Sequence, residues 1–170
     1  GFQNRHPELL SGNNPVLTRQ MGGETWYDQH DRYYGTCFSS FGICQNLDRL
    51  AELGYEISPD TPPLTAWTDL ADPRLLDQIG VADPAKSGSI NKCFEMLVQK
   101  QMRDTRQSLE PRLAAGTMTE QQALDQGWEE AMTLIRQIGG NARYLTFAAG
   151  KRAIDTAAGQ IAAGMCIDLY

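Results

Sequence analysis

The stretch Ile79-Gly-Val-Ala-Asp-Pro-Ala-Lys-Ser-Gly-Ser-Ile-Asn-Lys92 places a lysine, two hydroxyls and a glycine at consecutive positions, Lys86 to Ser89. A short apolar run ends at Asp83-Pro84, and a Ser87-Gly88-Ser89 turn follows. Apolar residues then recur at Ile90, Phe94, Leu97 and Val98, which is one face of a helix. The order predicts a strand, a small-residue loop and a helix N-terminus. Unpaired N–H groups and the positive end of the helix dipole make such a turn suited to an anion. The same residues also suit a plainer role, with Ser87 or Ser89 as the N-cap and Lys86 a solvated charge.

Composition narrows the classes of function. The chain has 170 residues, enough for one domain with a core. Its hydrophobic share of 41% and charged share of 21% describe a folded globular domain rather than a disordered one. A net charge of −6 argues against a nucleic-acid-binding surface but permits a locally positive pocket. No apolar run reaches the ~20 residues of a transmembrane helix. Cys37, Cys44, Cys93 and Cys166 form no CxxC pair, and neither His6 nor His30 stands beside them at a metal-ligand spacing, so no metal site is expected. Their disulfide state is left open; Cys44 and Cys166 read as small buried hydrophobes in apolar runs.

The elements that must position the loop follow from punctuation and period. Residues 26–35 read as a hairpin, 36–44 as an extended segment, and 46–54 as a short helix from Asn46 to the Gly54 stop. Residues 65–70 suggest one or two helical turns. The helix from Ser89 is expected to run to about Ser108, where Glu110-Pro111 interrupts it. A second long helix is capped by Thr117 or Thr119 and carries Trp128, Ala131, Met132, Ile135 and Ile138 inward, with Gly139-Gly140 as its stop. Residues 143–147 read as a strand. Residues 151–163 read as a helix with Ile154, Ala157, Ala158 and Ile161 inward, and 165–169 as a closing strand. Leu97, Trp128, Ile135 and Ile161 are expected to be buried. Strands alternating with helices predict an α/β sheet covered on its faces.

Four segments in this order resemble bacterial extracytoplasmic solute-binding proteins of ABC importers, in the cluster with ferric-iron, phosphonate and sugar-phosphate binders. They are Tyr34-Gly-Thr-Cys-Phe-Ser-Ser-Phe-Gly-Ile-Cys-Gln-Asn46, Trp67-Thr-Asp-Leu-Ala-Asp-Pro-Arg74, Gln78-Ile-Gly-Val-Ala-Asp-Pro-Ala-Lys-Ser-Gly-Ser89 and Gly159-Gln-Ile-Ala-Ala-Gly-Met-Cys-Ile-Asp-Leu-Tyr170. The resemblance implies a three-layer α/β sandwich lobe of a two-lobed periplasmic-binding-protein-like fold. Residues 1–36 would be the tail of the first lobe, 37–44 a crossing strand, 45–164 the second ligand-binding lobe and 165–170 the return strand. Both ends then read as cuts, and a fragment of a longer protein is expected. An orphaned arm over residues 1–36 would invite a domain-swapped homodimer.

The resemblance also implies a site. Lys86, Ser87, Gly88 and Ser89 would hold an oxyanion, with Ser39 and Ser40 on the outward strand and Asp168 and Tyr170 on the return strand. Asp83, itself an anion, suits capping the loop instead. Ferric-iron binders of the group often carry two adjacent tyrosines at the return strand; here those positions are Leu169-Tyr170. Ala148-Ala149-Gly150 replaces a polar side chain that some relatives carry before the last helix. Both departures favour a phosphorylated, phosphonate or other organic anion over iron, which stays as the alternative ligand. The implied partners are that ligand and an ABC permease, the implied location periplasmic or extracytoplasmic, and no cofactor is called for. An enzyme using the same anion loop is the competing class. Against it, the GxxxxGK[ST] and GxGxxG spacings are absent, and both histidines lie within the first 30 residues.

Overall fold

The computed structural model describes residues 20–21, 24–28, 30, 32–35, 39–148 and 150–168. They divide into two compact units, residues 1–39 and 40–170. In the first, strands β1 (Gln20–Met21) and β2 (Glu24–Thr25) pair antiparallel. Tyr27 bridges Tyr34 with their rings stacked at 6.1 Å, and Gly35 N donates to Trp26 O at 2.7 Å, so the expected hairpin at 26–35 is present.

The second unit is built on four strands: β3 (Phe41–Gln45), β4 (Ile79–Ala82), β5 (Ala142–Thr146) and β6 (Ala163–Ile167). Their order across the sheet is β3-β6-β4-β5. β6, β4 and β5 run parallel, and β3 is antiparallel to β6, with Phe41 opposite Ile167 and Gln45 opposite Ala163. Five helices accompany them: α1 (Leu47–Glu52), α2 (Gly88–Ser108), α3 (Glu110–Ala114), α4 (Glu120–Asn141) and α5 (Lys151–Ala157). Two short 3-10 turns, Trp67–Ala71 and Pro73–Leu75, lead into β4.

Helix starts follow their caps. Asn46 Oδ1 accepts from Arg49 N at 2.9 Å to open α1. Thr119 and Gln122 satisfy each other's backbone amides at 3.2 and 2.9 Å to open α4. One face of the sheet, carrying Ile79, Val81 and Met165, packs with Ile90 and Leu97 of α2 and Leu134 and Ile138 of α4. The opposite face carries Gly80 and Gly164, because strand side chains alternate. There α5 lies close: a Cβ on either glycine would stand 3.2 or 3.1 Å from the Arg152 side chain. Helices on both faces make the three layers the sequence predicts.

Several local expectations need correction. Leu97 and Ile161 are buried and Ile135 half-buried, but Trp128 is 50% exposed. The inward stripe of α4 is Ala123, Gly127, Ala131, Leu134 and Ile138. Its small residues let α2 come close: a Cβ on Gly127 would lie 2.6 Å from Met102 Cα. The helix also runs through Gly139-Gly140 to Asn141, whose Nδ2 donates to Leu70 O and Asp72 O, both at 2.9 Å. α5 stops at Ala157, ahead of Gly159 at φ +69°, and turns Ile154 to solvent at 68% exposure.

Candidate functional site

The parallel strands bring the loops of interest to one edge of the sheet. β4 ends into residues 83–87, β5 into 147–150 and β6 at Asp168, while antiparallel β3 begins there after Ser40. The carboxyl edge of a parallel sheet is where open α/β folds place ligands.

The loop after β4 is fixed by its own backbone. Asp83 N donates to Thr146 O at 2.9 Å, and Asp83 O accepts from Lys86 N and Ser87 N at 3.0 and 2.9 Å. Asp83 Oδ1 accepts from Ala85 N at 2.9 Å, so this carboxylate shapes the turn as expected. Ser87 is buried and its Oγ accepts from Ile90 N at 3.5 Å, which makes it the N-cap. The Ser87 and Ser89 hydroxyls stand 3.4 Å apart. Among the described residues, the amides of Gly88 and Ser89 find no acceptor. They open a helix of 21 residues, whose first-turn N–H groups are unsatisfied by its geometry. Gly88 is exposed, and a Cβ there would meet nothing within 4 Å. Lys86 Nζ lies 4.0 Å above the Phe147 ring, a cation–π contact that holds the charge beside the neighbouring loop.

A second group forms where β3 meets β6. Ser40 N and Oγ both donate to Asp168 Oδ2 at 2.9 Å, and Asp168 N returns a bond to Ser40 O at 3.0 Å. An open groove of about 210 Å³ runs from this pair past Gly42, Cys44 and Cys166. The structure therefore joins Ser40 with Asp168, and Ser87 with Ser89. The described groove contains the first pair and none of residues 86–89. Ser39 is exposed at the end of the first unit. Tyr170 and Cys37 lie outside the described residues.

Sequence reasoning missed the inner face of α5, which is polar. Arg152, Asp155 and Thr156 are buried. Tyr144 Oη and Lys151 Nζ each donate to Asp155 Oδ2 at 2.5 Å. The lysine first, then the tyrosine, hold this carboxyl below the usual carboxylate range. Desolvation, reinforced by Asp155, raises the Tyr144 phenol. Arg152 is fully buried, and among the described residues its Nε, Nη1 and Nη2 find no hydrogen-bond partner. A polar residue recurring at 152, 155 and 156 was the available signal, since it has the same period as an apolar stripe. Among the described residues, no group of three or more His, Cys, Asp or Glu is placed to hold a metal ion. Beside the Asp83 and Asp168 carboxylates, which are engaged by Ala85 and Ser40, the edge offers amides, hydroxyls and a lysine, donors of the kind that bind an oxyanion.

Comparison with known proteins gives this arrangement a context. Residues 7–169 match the family described as bacterial extracellular solute-binding protein. No curated protein matches the chain. Among solved structures, the periplasmic binding protein P5PA is similar at 18% identity and a TM-score of 0.52, over 75% of this chain and 30% of that one. The periplasmic binding protein AfuA from Actinobacillus pleuropneumoniae, solved with exogenous fructose-6-phosphate bound, is similar at 21% identity and a TM-score of 0.50. That match covers 97% of this chain and 43% of AfuA. The chain thus spans less than half the length of either structure, and the likeness is one of fold.

Proposed function

This chain belongs to the bacterial extracellular solute-binding protein family, and we propose that it is the ligand-capturing part of an ABC importer, taking up a small phosphorylated or phosphonate compound or another organic anion. The observation that carries this reading is the pair of unsatisfied amides at Gly88 and Ser89, flanked by the Ser87 and Ser89 hydroxyls at the start of α2. An oxyanion completes the bonds that the helix leaves open, and the helix dipole favours its charge. Lys86 and the groove at Ser40 and Asp168 border the same sheet edge and are assigned to ligand contact, together with Ser39 and Tyr170. In this role the chain binds and releases its ligand without turnover, works outside the cytoplasm and hands its cargo to a permease.

The test is isothermal titration with a panel of fructose-6-phosphate, a simple alkyl phosphonate and inorganic phosphate. Ser87→Ala combined with Ser89→Ala removes hydroxyl donors without touching the sheet. Each charge-assisted hydrogen bond is worth roughly 1.5–3 kcal/mol, so affinity for the best probe falls by one or more decades. A dissociation constant unchanged in the double variant would mean that the two hydroxyls take no part, and no binding of any probe by the wild-type chain would mean that the loop only caps its helix.

A further inference from the structure

Cys44 on β3 and Cys166 on β6 bring their sulfurs to 3.0 Å, and both are free thiols. They sit diagonally across the antiparallel ladder: Cys44 opposes Gly164, and Cys166 opposes Gly42. Neither glycine sends a side chain between them. A Cβ on Gly164 would stand 3.2 Å from Cys44 Sγ, so the absence of that atom is what lets the sulfur lean toward its neighbour. Both cysteines line the open groove that begins at Ser40 and Asp168, which gives a reactant a path to them. The family acts outside the cell, and extracytoplasmic compartments favour paired over free thiols.

We propose that Cys44 and Cys166 form a disulfide that clasps β3 to β6 directly behind the Ser40–Asp168 pair. The oxidant is a thiol–disulfide oxidoreductase, or a small-molecule disulfide, that carries a labile S–S bond. The Cys44 thiolate attacks one sulfur of that bond, and the donor's other sulfur leaves as a thiolate. Cys166 then loses its proton and attacks Cys44 Sγ in the mixed disulfide, releasing the donor's second thiolate. The chain gives up two electrons and two protons, and the donor gains them as two thiols.

The surroundings favour Cys44 as the first attacker. The contact between the two sulfurs at 3.0 Å lowers the pKa of Cys44 and, with desolvation, raises that of Cys166. Arg152 acts on Cys166 in the opposite sense, favouring the thiolate needed for the second attack. Cys93, buried on α2, is pushed up to about 11 by desolvation and stays out of the exchange.

The experiment equilibrates the wild-type chain with oxidised glutathione, unfolds it without reductant, alkylates the remaining thiols and maps tryptic peptides by tandem mass spectrometry. The expected product is a crosslink joining peptides 33–49 and 153–170 through Cys44 and Cys166, with Cys37 and Cys93 alkylated. Reduction should then lower the melting temperature by about 10 °C, because the bridge joins residues 122 apart in sequence. The Cys44→Ser variant should show no such drop. Full alkylation of Cys44 and Cys166, a crosslink that uses Cys37 or Cys93 in place of either, or a melting temperature indifferent to reduction would each overturn the proposal.

Discussion

The two faces of the central sheet are built on different principles. Under α2 and α4 the sheet presents Ile79, Val81 and Met165 to Ile90, Leu97, Leu134 and Ile138, all buried. Stability there comes from area, summed over many interchangeable contacts. Under α5 the sheet presents Gly80, Gly164, Cys44 and Cys166 to Arg152, Thr156 and the Tyr144–Asp155–Lys151 chain. There each group depends on a particular partner at a particular distance. A face of the first kind sets whether the domain folds. A face of the second kind is free to carry chemistry, and both the thiol pair and the buried Arg152 guanidinium lie on it.

The largest effect should come from the apolar face. Ile138→Ala removes a side chain with no exposed surface from between α4 and the sheet. The lost transfer energy and the cavity left behind cost about 2–5 kcal/mol. Urea unfolding should show it as a lower midpoint at an unchanged m-value. A loss below about 1 kcal/mol would mean that the site collapses freely and that this face is not the principal core.

The polar face should answer with the opposite sign. Arg152→Met keeps most of the buried stem and removes a guanidinium that finds no hydrogen-bond partner among the described residues. Replacing buried charge by a well-packed apolar group is often neutral or stabilising by about 1–4 kcal/mol. The measurement is the unfolding midpoint of ligand-free protein. A clear destabilisation would show that the guanidinium is anchored, and the contrast between the faces would weaken.

How far each face was legible follows from the same contrast. The spacing of Ile90 and Leu97 announced the apolar side of α2 correctly. On α4 Ala131 and Ile138 were placed inward correctly, but the bulk of Trp128 drew attention away from Ala123 and Gly127, whose small size lets α2 come close. On α5 an apolar stripe through Ile154 was expected, but the surface beneath is glycine and cysteine, and it receives Arg152, Asp155 and Thr156. The Ser87–Ser89 loop was readable because a strand, a turn and a capped helix each leave local signals. The Ser40–Asp168 pair spans 128 positions and leaves none, so only the family resemblance pointed to it.

A smaller loss tests how tightly the polar face is fitted. Gly80→Ala would set a Cβ 2.7 Å from Ile161 Cδ1, 3.0 Å from Tyr144 Oη and 3.2 Å from Arg152 Cγ. The Ile161 methyl sits at the end of a side chain and can yield, so overpacking costs about 1–3 kcal/mol rather than preventing folding. Because the Tyr144 hydroxyl must shift as well, hydrogen exchange should rise in α5 before it rises in α2. Equal protection changes in both helices would mean that the two faces respond as one unit.

The smallest effect is read through pH. Asp155 keeps its charge to lower pH in the folded protein than in the unfolded chain, because Lys151 and Tyr144 both donate to Oδ2. Its contribution is therefore fully present above the ordinary aspartate value of about 3.9 and is lost as pH falls through the lower, folded value. Tyr144→Phe deletes one of the two donors and moves the folded value back toward the ordinary one. Wild type and variant should differ in unfolding free energy at pH 7, and the gap should narrow steadily as the carboxyl becomes protonated in both. Lys151 is half exposed, so added salt should weaken the ion pair and leave the phenol bond, making the variant the more salt-sensitive of the two at neutral pH. A gap that stays constant down to pH 2 would mean that the tyrosine acts through packing alone, and the polar face would then owe its stability to area after all.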